Sequence, residues 1–260
     1  MTQIVVSDRL CFEMGEGENT FIFFHGWAGN HTVWDFLVPE LAKNNLCVTV
    51  DLFNHYEGTP CDEVHGENFG AFYSEKITEI INHYSGSDVL PVFWSLSSLL
   101  FLETVQSEKK LPIKEAVFLS ATAKFCDEKG KEGFRPVALK KFRRELKRKY
   151  PDSVEDLFGK YFIASDSPSH LGEYRGYPHL QNLLDQLDYL ERTDLLHVLK
   201  NISIPITVIH GENDQVIPCE MGKLLAEKIQ HSSLDIIKKG SHSLMLDVPQ
   251  KLLSFFNRFR

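Results

Sequence analysis

Short apolar runs alternate with helical patterns along most of this chain. Residues 20–24, 46–50, 89–93, 115–119, 206–210 and 234–237 have the length and composition of strands, and 4–7 with 10–13 read as an opening hairpin. Between them, residues 32–43, 67–84, 96–106, 220–229 and 249–258 carry helical patterns. Repeated strand–helix alternation predicts an α/β fold, with a mostly parallel eight-stranded sheet and helices on both faces. The later strands are continuously apolar, as expected for strands covered on both sides.

The alternation fails between Ala121 and about Glu191, where the chain turns charged and helical before strand signals resume at Ile204 and Pro205. That stretch is expected to be an inserted helical lid, residues 121–191, on a core made of residues 1–120 and 192–260. A structureless linker fits it less well, because Phe142, Tyr150, Leu157, Phe158, Tyr161 and Phe162 supply apolar faces that need partners.

Composition narrows the setting. A chain of 260 residues, 43% hydrophobic, can bury one sizeable core with a small insertion. The five cysteines, Cys11, Cys47, Cys61, Cys126 and Cys219, are scattered without metal-ligand spacing, which fits reduced thiols in a cytoplasm. The first ten residues have neither a basic region nor an apolar run of signal or membrane length. The net charge of −8 argues against general nucleic-acid binding. One segment departs from that balance: from Lys140 to Lys149, seven positive residues stand against one negative. Such a run is most often a solvated helix face.

Chemistry gathers at strand ends. The strand at 89–93 leads through Trp94 and Ser95 into the helical pattern at 96–106, so Ser95 lies where a strand reverses into a helix. There a hydroxyl is lifted off the strand end, and the following N–H, that of Leu96, points at any oxyanion that develops beside it. Alone, Ser95 would read better as a plain helix cap. Two further positions select the chemical reading. Asp214 follows the strand at 206–210, and His242 lies in the Gly240-Ser241-His242-Ser243 loop after the last strand. The order Ser95, Asp214, His242, each just beyond a strand, is that of a nucleophile, an orienting acid and a general base. The motif His25-Gly26-Trp27 closes an early strand, where glycine permits close approach and the Trp27 N–H is a second candidate oxyanion donor. His25 and His210 read as structural strand-end histidines.

With these residues in view, the chain resembles the α/β hydrolases and, within them, the pimeloyl-(acyl-carrier protein) methyl ester esterases of biotin synthesis. The matching residues are His25-Gly26-Trp27, Trp94-Ser95-Leu96, Thr193-Asp194-Leu195, Gly211 to Pro218 and Ser241-His242. The resemblance implies a serine carboxylesterase without metal or organic cofactor, hydrolysing a methyl ester on a pimeloyl chain held by an acyl-carrier protein. It also gives the basic run a role. A cationic lid would steer an acidic carrier, with Arg143, Arg144, Lys147 and Arg148 as the contacts, in a monomer that binds neither nucleic acid nor membrane.

Two departures from the family pattern carry expectations. The elbow Gly-x-Ser-x-Gly has Phe93 and Ser97 at its glycine positions, and Phe93 leaves open a distorted elbow, altered packing opposite it, or lost activity. The Asp-x-Pro-Gly-x-Gly stretch is replaced by the segment from Asp51 to Gly58. Two other readings stand beside the esterase. One is a different hydrolase on the same scaffold, such as a short-chain carboxylesterase, thioesterase or carbon–carbon hydrolase. The other is a silent hydrolase-fold protein that binds a partner through its basic lid.

Overall fold

A computed structural model describes residues 1–53, 64–107, 110–162 and 179–259 of the chain. Its described strands are β1 (Thr2–Val6), β2 (Arg9–Met14), β3 (Asn19–Phe24), β4 (Leu46–Asp51), β5 (Asp88–Trp94), β6 (Ala116–Leu119), β7 (Ile206–Gly211) and β8 (Ser232–Ile237). They form one sheet in the order β1-β2-β4-β3-β5-β6-β7-β8. Only β2 runs against the rest, pairing antiparallel with β1 and β4. The β1–β2 connection places Ser7 at φ 53° and Asp8 at φ 59°, the two left-handed positions of a tight hairpin. The central strands β3 to β6 are almost wholly buried, while the edge strand β8 has no fully buried residue.

Helices α1 (Val38–Leu41), α2 (Asn68–His83), α3 (Leu96–Gln106), α4 (Pro136–Lys149), α5 (Asp152–Tyr161), α6 (Leu180–Arg192), α7 (Cys219–Lys228), α8 (Leu244–Asp247) and α9 (Pro249–Phe256) complete the described fold. The single helix expected over 32–43 is instead a 3-10 turn, His31–Trp34, followed by the short α1. Two local features divide it. Asn30 caps the first turn by accepting the Thr32 N–H at 2.8 Å, and Pro39 has no N–H with which to extend a continuous helix back toward Asp35.

Between β6 and β7 the chain leaves the sheet for α4, α5 and α6. Its two stems are pinned together: Leu195 N donates to Ala123 O at 2.8 Å, and Lys124 Nζ pairs with Asp194 Oδ2 at 2.7 Å. Helix α4 buries Leu139, Phe142 and Leu146, a three- and four-residue stripe facing the site described below. The Phe158 side chain, Cys61 and the replaced segment beyond Phe53 lie outside the description. Among the described residues, no helix is long and apolar enough to cross a membrane.

The register of the central strands explains how Phe93 is housed. Phe24 on β3, Phe93 on β5 and Phe118 on β6 are direct cross-strand neighbours. Their rings form a row that Phe101 of α3 covers. Phe24 stacks on Phe93 at 5.1 Å, Phe101 lies 4.7 Å from it, and Phe118 meets it edge-on at 6.3 Å. Phe93 is wholly buried. Packing accommodates Phe93 here: an aromatic layer fills the space between strand and helix.

Candidate active site

Ser95 joins β5 directly to α3 with φ 57° and ψ −118°, a conformation that L-residues adopt only under local constraint. Hydrogen bonds supply the constraint. Ser95 N donates to Leu119 O on β6 at 3.1 Å, and Ser98 N returns to Ser95 O at 3.0 Å. Ser97 Oγ, at the second glycine position of the motif, donates toward Phe24 O at 2.9 Å and Trp94 O at 3.0 Å. Ser98 Oγ donates toward Ser95 O at 2.6 Å and accepts from Thr122 N at 3.1 Å. Two serine hydroxyls thus tie the turn to the ends of β3 and β5 and to the segment after β6.

The three residues expected to act together are in contact. His242 Nε2 lies 2.9 Å from Ser95 Oγ, and His242 Nδ1 lies 2.7 Å from Asp214 Oδ2. All three are buried. The other Asp214 oxygen accepts the N–H groups of Val216 and Ile217, each at 2.9 Å. His210 adds a fourth contact, with Nε2 3.3 Å from Asp214 Oδ2 and 2.9 Å from Ile217 O. Burial alone would push the Asp214 carboxyl up. The adjacent His242 charge and the hydrogen bonds from His210 and His242 outweigh burial and hold it below the usual carboxylate range. An acid kept ionised beside Nδ1 fixes the imidazole with its proton on that nitrogen, leaving Nε2 free to accept one from Ser95.

Gly26 brings a second backbone segment against the serine. A Cβ at that position would lie 2.9 Å from Ser95 Cβ and 3.1 Å from Trp94 O, so only glycine fits. The following N–H, of Trp27, and that of Leu96 donate to no protein acceptor among the described residues. His25 is structural, as its strand-end position implied. It lies wholly buried, with Nδ1 2.8 Å from Gly26 O and Nε2 accepting the Leu52 N–H at 3.1 Å. Burial pushes its pKa down to about 4, so the ring is neutral and braces the loop that carries Gly26.

Beside Ser95 lies a narrow pocket of about 380 Å3, counting its open mouth, walled mainly by apolar side chains including Trp27, Phe125, Phe142, Phe162 and Leu187. No lining residue carries a formal charge. Most of this wall comes from the insertion between β6 and β7. Among the described cysteines, burial pushes the thiols of Cys11 and Cys47 up to about 12 and of Cys126 up to about 11, and raises that of Cys219. No group of His, Cys, Asp and Glu among the described residues is arranged to hold a metal ion.

The basic run forms α4, and its charges divide. Lys140, Lys141, Arg144, Lys147, Arg148 and Lys149 are exposed, around Val137, which is 71% accessible. Arg143, expected among the carrier contacts, is turned inward instead. Its guanidinium bridges Asp188 and Glu191 of α6, the latter at 2.7 Å, and so binds the two insertion helices to each other. The contributions of Ser98, His210 and Phe162 to the site had no motif to mark them, and Ser97 was marked only as a departure from the elbow motif. The run Ser95-Leu96-Ser97-Ser98 was the one available signal, since hydroxyls at the start of a helix readily bond backbone.

Residues 21–254 match the alpha/beta hydrolase family. A pimeloyl-[acyl-carrier protein] methyl ester esterase of Wigglesworthia glossinidia brevipalpis is 25% identical, covering 94% of this chain and 95% of its own length. One from Salmonella newport is 22% identical, covering 90% and 91%. Among solved structures, an esterase from Exiguobacterium antarcticum superposes with a TM-score of 0.85 at 18% identity, covering 99% of this chain and 98% of its own. A bromoperoxidase from Bacillus anthracis gives 0.83 at 20% identity, covering 96% and 94%.

Proposed function

The chain belongs to the alpha/beta hydrolase family, and from that premise we propose that it is a serine carboxylesterase acting on a carrier-bound methyl ester. The observation that carries the reading is the continuous chain from Ser95 Oγ through His242 to Asp214, built at a positive-φ turn between strand and helix. His242 takes the Ser95 proton as Oγ attacks the ester carbonyl. The Trp27 and Leu96 N–H groups receive the oxyanion, and the protonated His242 then gives its proton to the methoxide oxygen as the C–O bond breaks, releasing methanol and leaving the acyl group on Ser95. Water, deprotonated by the same imidazole, attacks the acyl carbonyl, and His242 returns that proton to Ser95 Oγ as the acyl group leaves as a carboxylic acid that ionises in solution. No metal or organic cofactor enters these steps.

The names of the relatives and two features of this chain support the substrate reading. The names support a pimeloyl methyl ester on an acyl-carrier protein as the substrate, and the reading we propose is a cytoplasmic enzyme of biotin synthesis. An uncharged, aromatic-walled pocket suits an esterified chain end better than a free acid. Within the proposed lid, residues 121–191, helix α4 turns an exposed cationic face outward, suited to an acidic carrier through Arg144, Lys147 and Arg148. Arg143 serves that surface indirectly, by fastening α4 to α6.

Reversing charge at Arg144, Lys147 and Arg148 together is expected to raise KM for the carrier-bound ester roughly tenfold. Turnover of a short soluble methyl ester should change by less than about twofold, since exposed charges far from the reacting atoms contribute little to it. Steady-state kinetics on both substrates reads the difference. Equal losses on both substrates, or no loss on either, would contradict carrier docking at this face.

A further inference from the structure

His242 sits in the loop between β8 and α8, and its side-chain hydrogen bonds align the ring only if the backbone beneath it is held. Three contacts hold it. Trp94 Nε1, from the residue before the serine, donates to His242 O at 3.0 Å. Ser241 Oγ donates to Phe162 O at 2.8 Å, and Ser243 N donates to the same carbonyl at 2.9 Å. The residues on either side of His242 are thus bound to one oxygen, using both of its lone pairs.

Phe162 belongs to the insertion, one residue beyond α5. Its buried ring meets the His242 imidazole edge-on, with centroids 5.0 Å apart and planes at 81°, and it also contacts the rings of Trp94 and Trp27. Ser241 is 5% exposed, and its own N–H is bound by Asp247 Oδ2 at 2.8 Å. The histidine loop is therefore fixed on one side by the serine elbow and on the other by the insertion.

We propose that Ser241 and Phe162 are positioning residues, latching the insertion, just past α5, to the histidine loop and setting the alignment of His242 with Ser95. The insertion then serves the chemical step as well as substrate admission. This rests on the reading of Ser95 and His242 as nucleophile and base. Neither Ser241 nor Phe162 is assigned contact with reacting atoms; both act through the His242 backbone and ring.

Ser241→Ala removes one of the two donors to Phe162 O, and displacements of the base by well under 1 Å already slow proton transfer. The variant is expected to lower kcat for a small soluble ester about tenfold with KM within about twofold of wild type. The rate of Ser95 labelling by a small fluorophosphonate should fall by a similar factor, because labelling needs the Ser95–His242 pair but no substrate-specific contact. Phe162→Leu keeps the carbonyl but loses the ring edge, and is expected to slow both rates about threefold. If Ser241→Ala fails to fold, Ser241→Cys, similar in size and a weak donor, carries the same expectation. Wild-type kcat and labelling rates in a folded Ser241 variant, with Ser95→Ala inactive, would overturn the latch and leave the triad standing. Activity and labelling retained in Ser95→Ala would instead remove the triad reading on which the latch rests.

Discussion

Asp214→Asn is expected to lower kcat/KM by about 10^4-fold while leaving the protein folded. One carboxylate oxygen accepts the Val216 and Ile217 N–H groups, and the other faces His242 Nδ1 at 2.7 Å and His210 Nε2 at 3.3 Å. An asparagine keeps its carbonyl toward the two backbone donors, which turns its NH2 group toward His242. Nδ1 must then accept, the ring proton moves to Nε2, and the imidazole can no longer take a proton from Ser95. The size of the loss is that measured for the corresponding change in a serine protease triad. Because Asp214 is held below the usual carboxylate range, it stays ionised throughout the pH range in which an imidazole titrates. Protonation of Asp214 is therefore not expected to cause the fall of wild-type activity toward acid pH, and the variant should stay impaired across the whole range in which the wild type is active. Rate–pH profiles on a small ester, with circular dichroism to establish folding, check both statements.

Phe93→Ala is expected to destabilise the protein by about 3–5 kcal/mol, although it moves the elbow toward the small residue of the family motif. In this chain the position is filled by a wholly buried ring within contact of Phe24, Phe101 and Phe118. Truncation leaves a cavity between β3, β5, β6 and α3, bounded by a sheet and a helix that cannot close on it. Phe93→Leu should lose markedly less, since it retains most of the volume. Urea denaturation of the variants measures the difference. A stability equal to wild type for Phe93→Ala would mean that the aromatic row is not what supports the elbow.

The parts of this molecule visible in its sequence are those governed by neighbours along the chain. Continuous apolar runs gave the buried parallel strands, because a strand covered on both faces has no polar side to alternate. Ser95, Asp214 and His242 were selected by their places just past β5, β7 and β8, and the fold brings all three into hydrogen-bond contact. What depends on residues distant in sequence was hidden. The accommodation of Phe93 rests on the register that sets it between Phe24 and Phe118, which no single segment reveals. The basic run gave no sign that Arg143 differs from Arg144 as a carrier contact. The Arg143 partners Asp188 and Glu191, on another helix, decided otherwise. The Phe162 carbonyl that anchors the histidine loop has no side-chain signature at all, since any residue supplies one. The helix expected over 32–43 failed for a local reason that was legible, namely Pro39, whose effect on the preceding turn outweighed the apolar periodicity.

Labelling of the purified full chain with a fluorophosphonate, followed by peptide mass spectrometry, tests the assignment of Ser95 most directly. The triad requires one modified site, Ser95, with labelling lost in Ser95→Ala and slowed in Asp214→Asn. Modification at another residue, or labelling undiminished in Ser95→Ala, would contradict it.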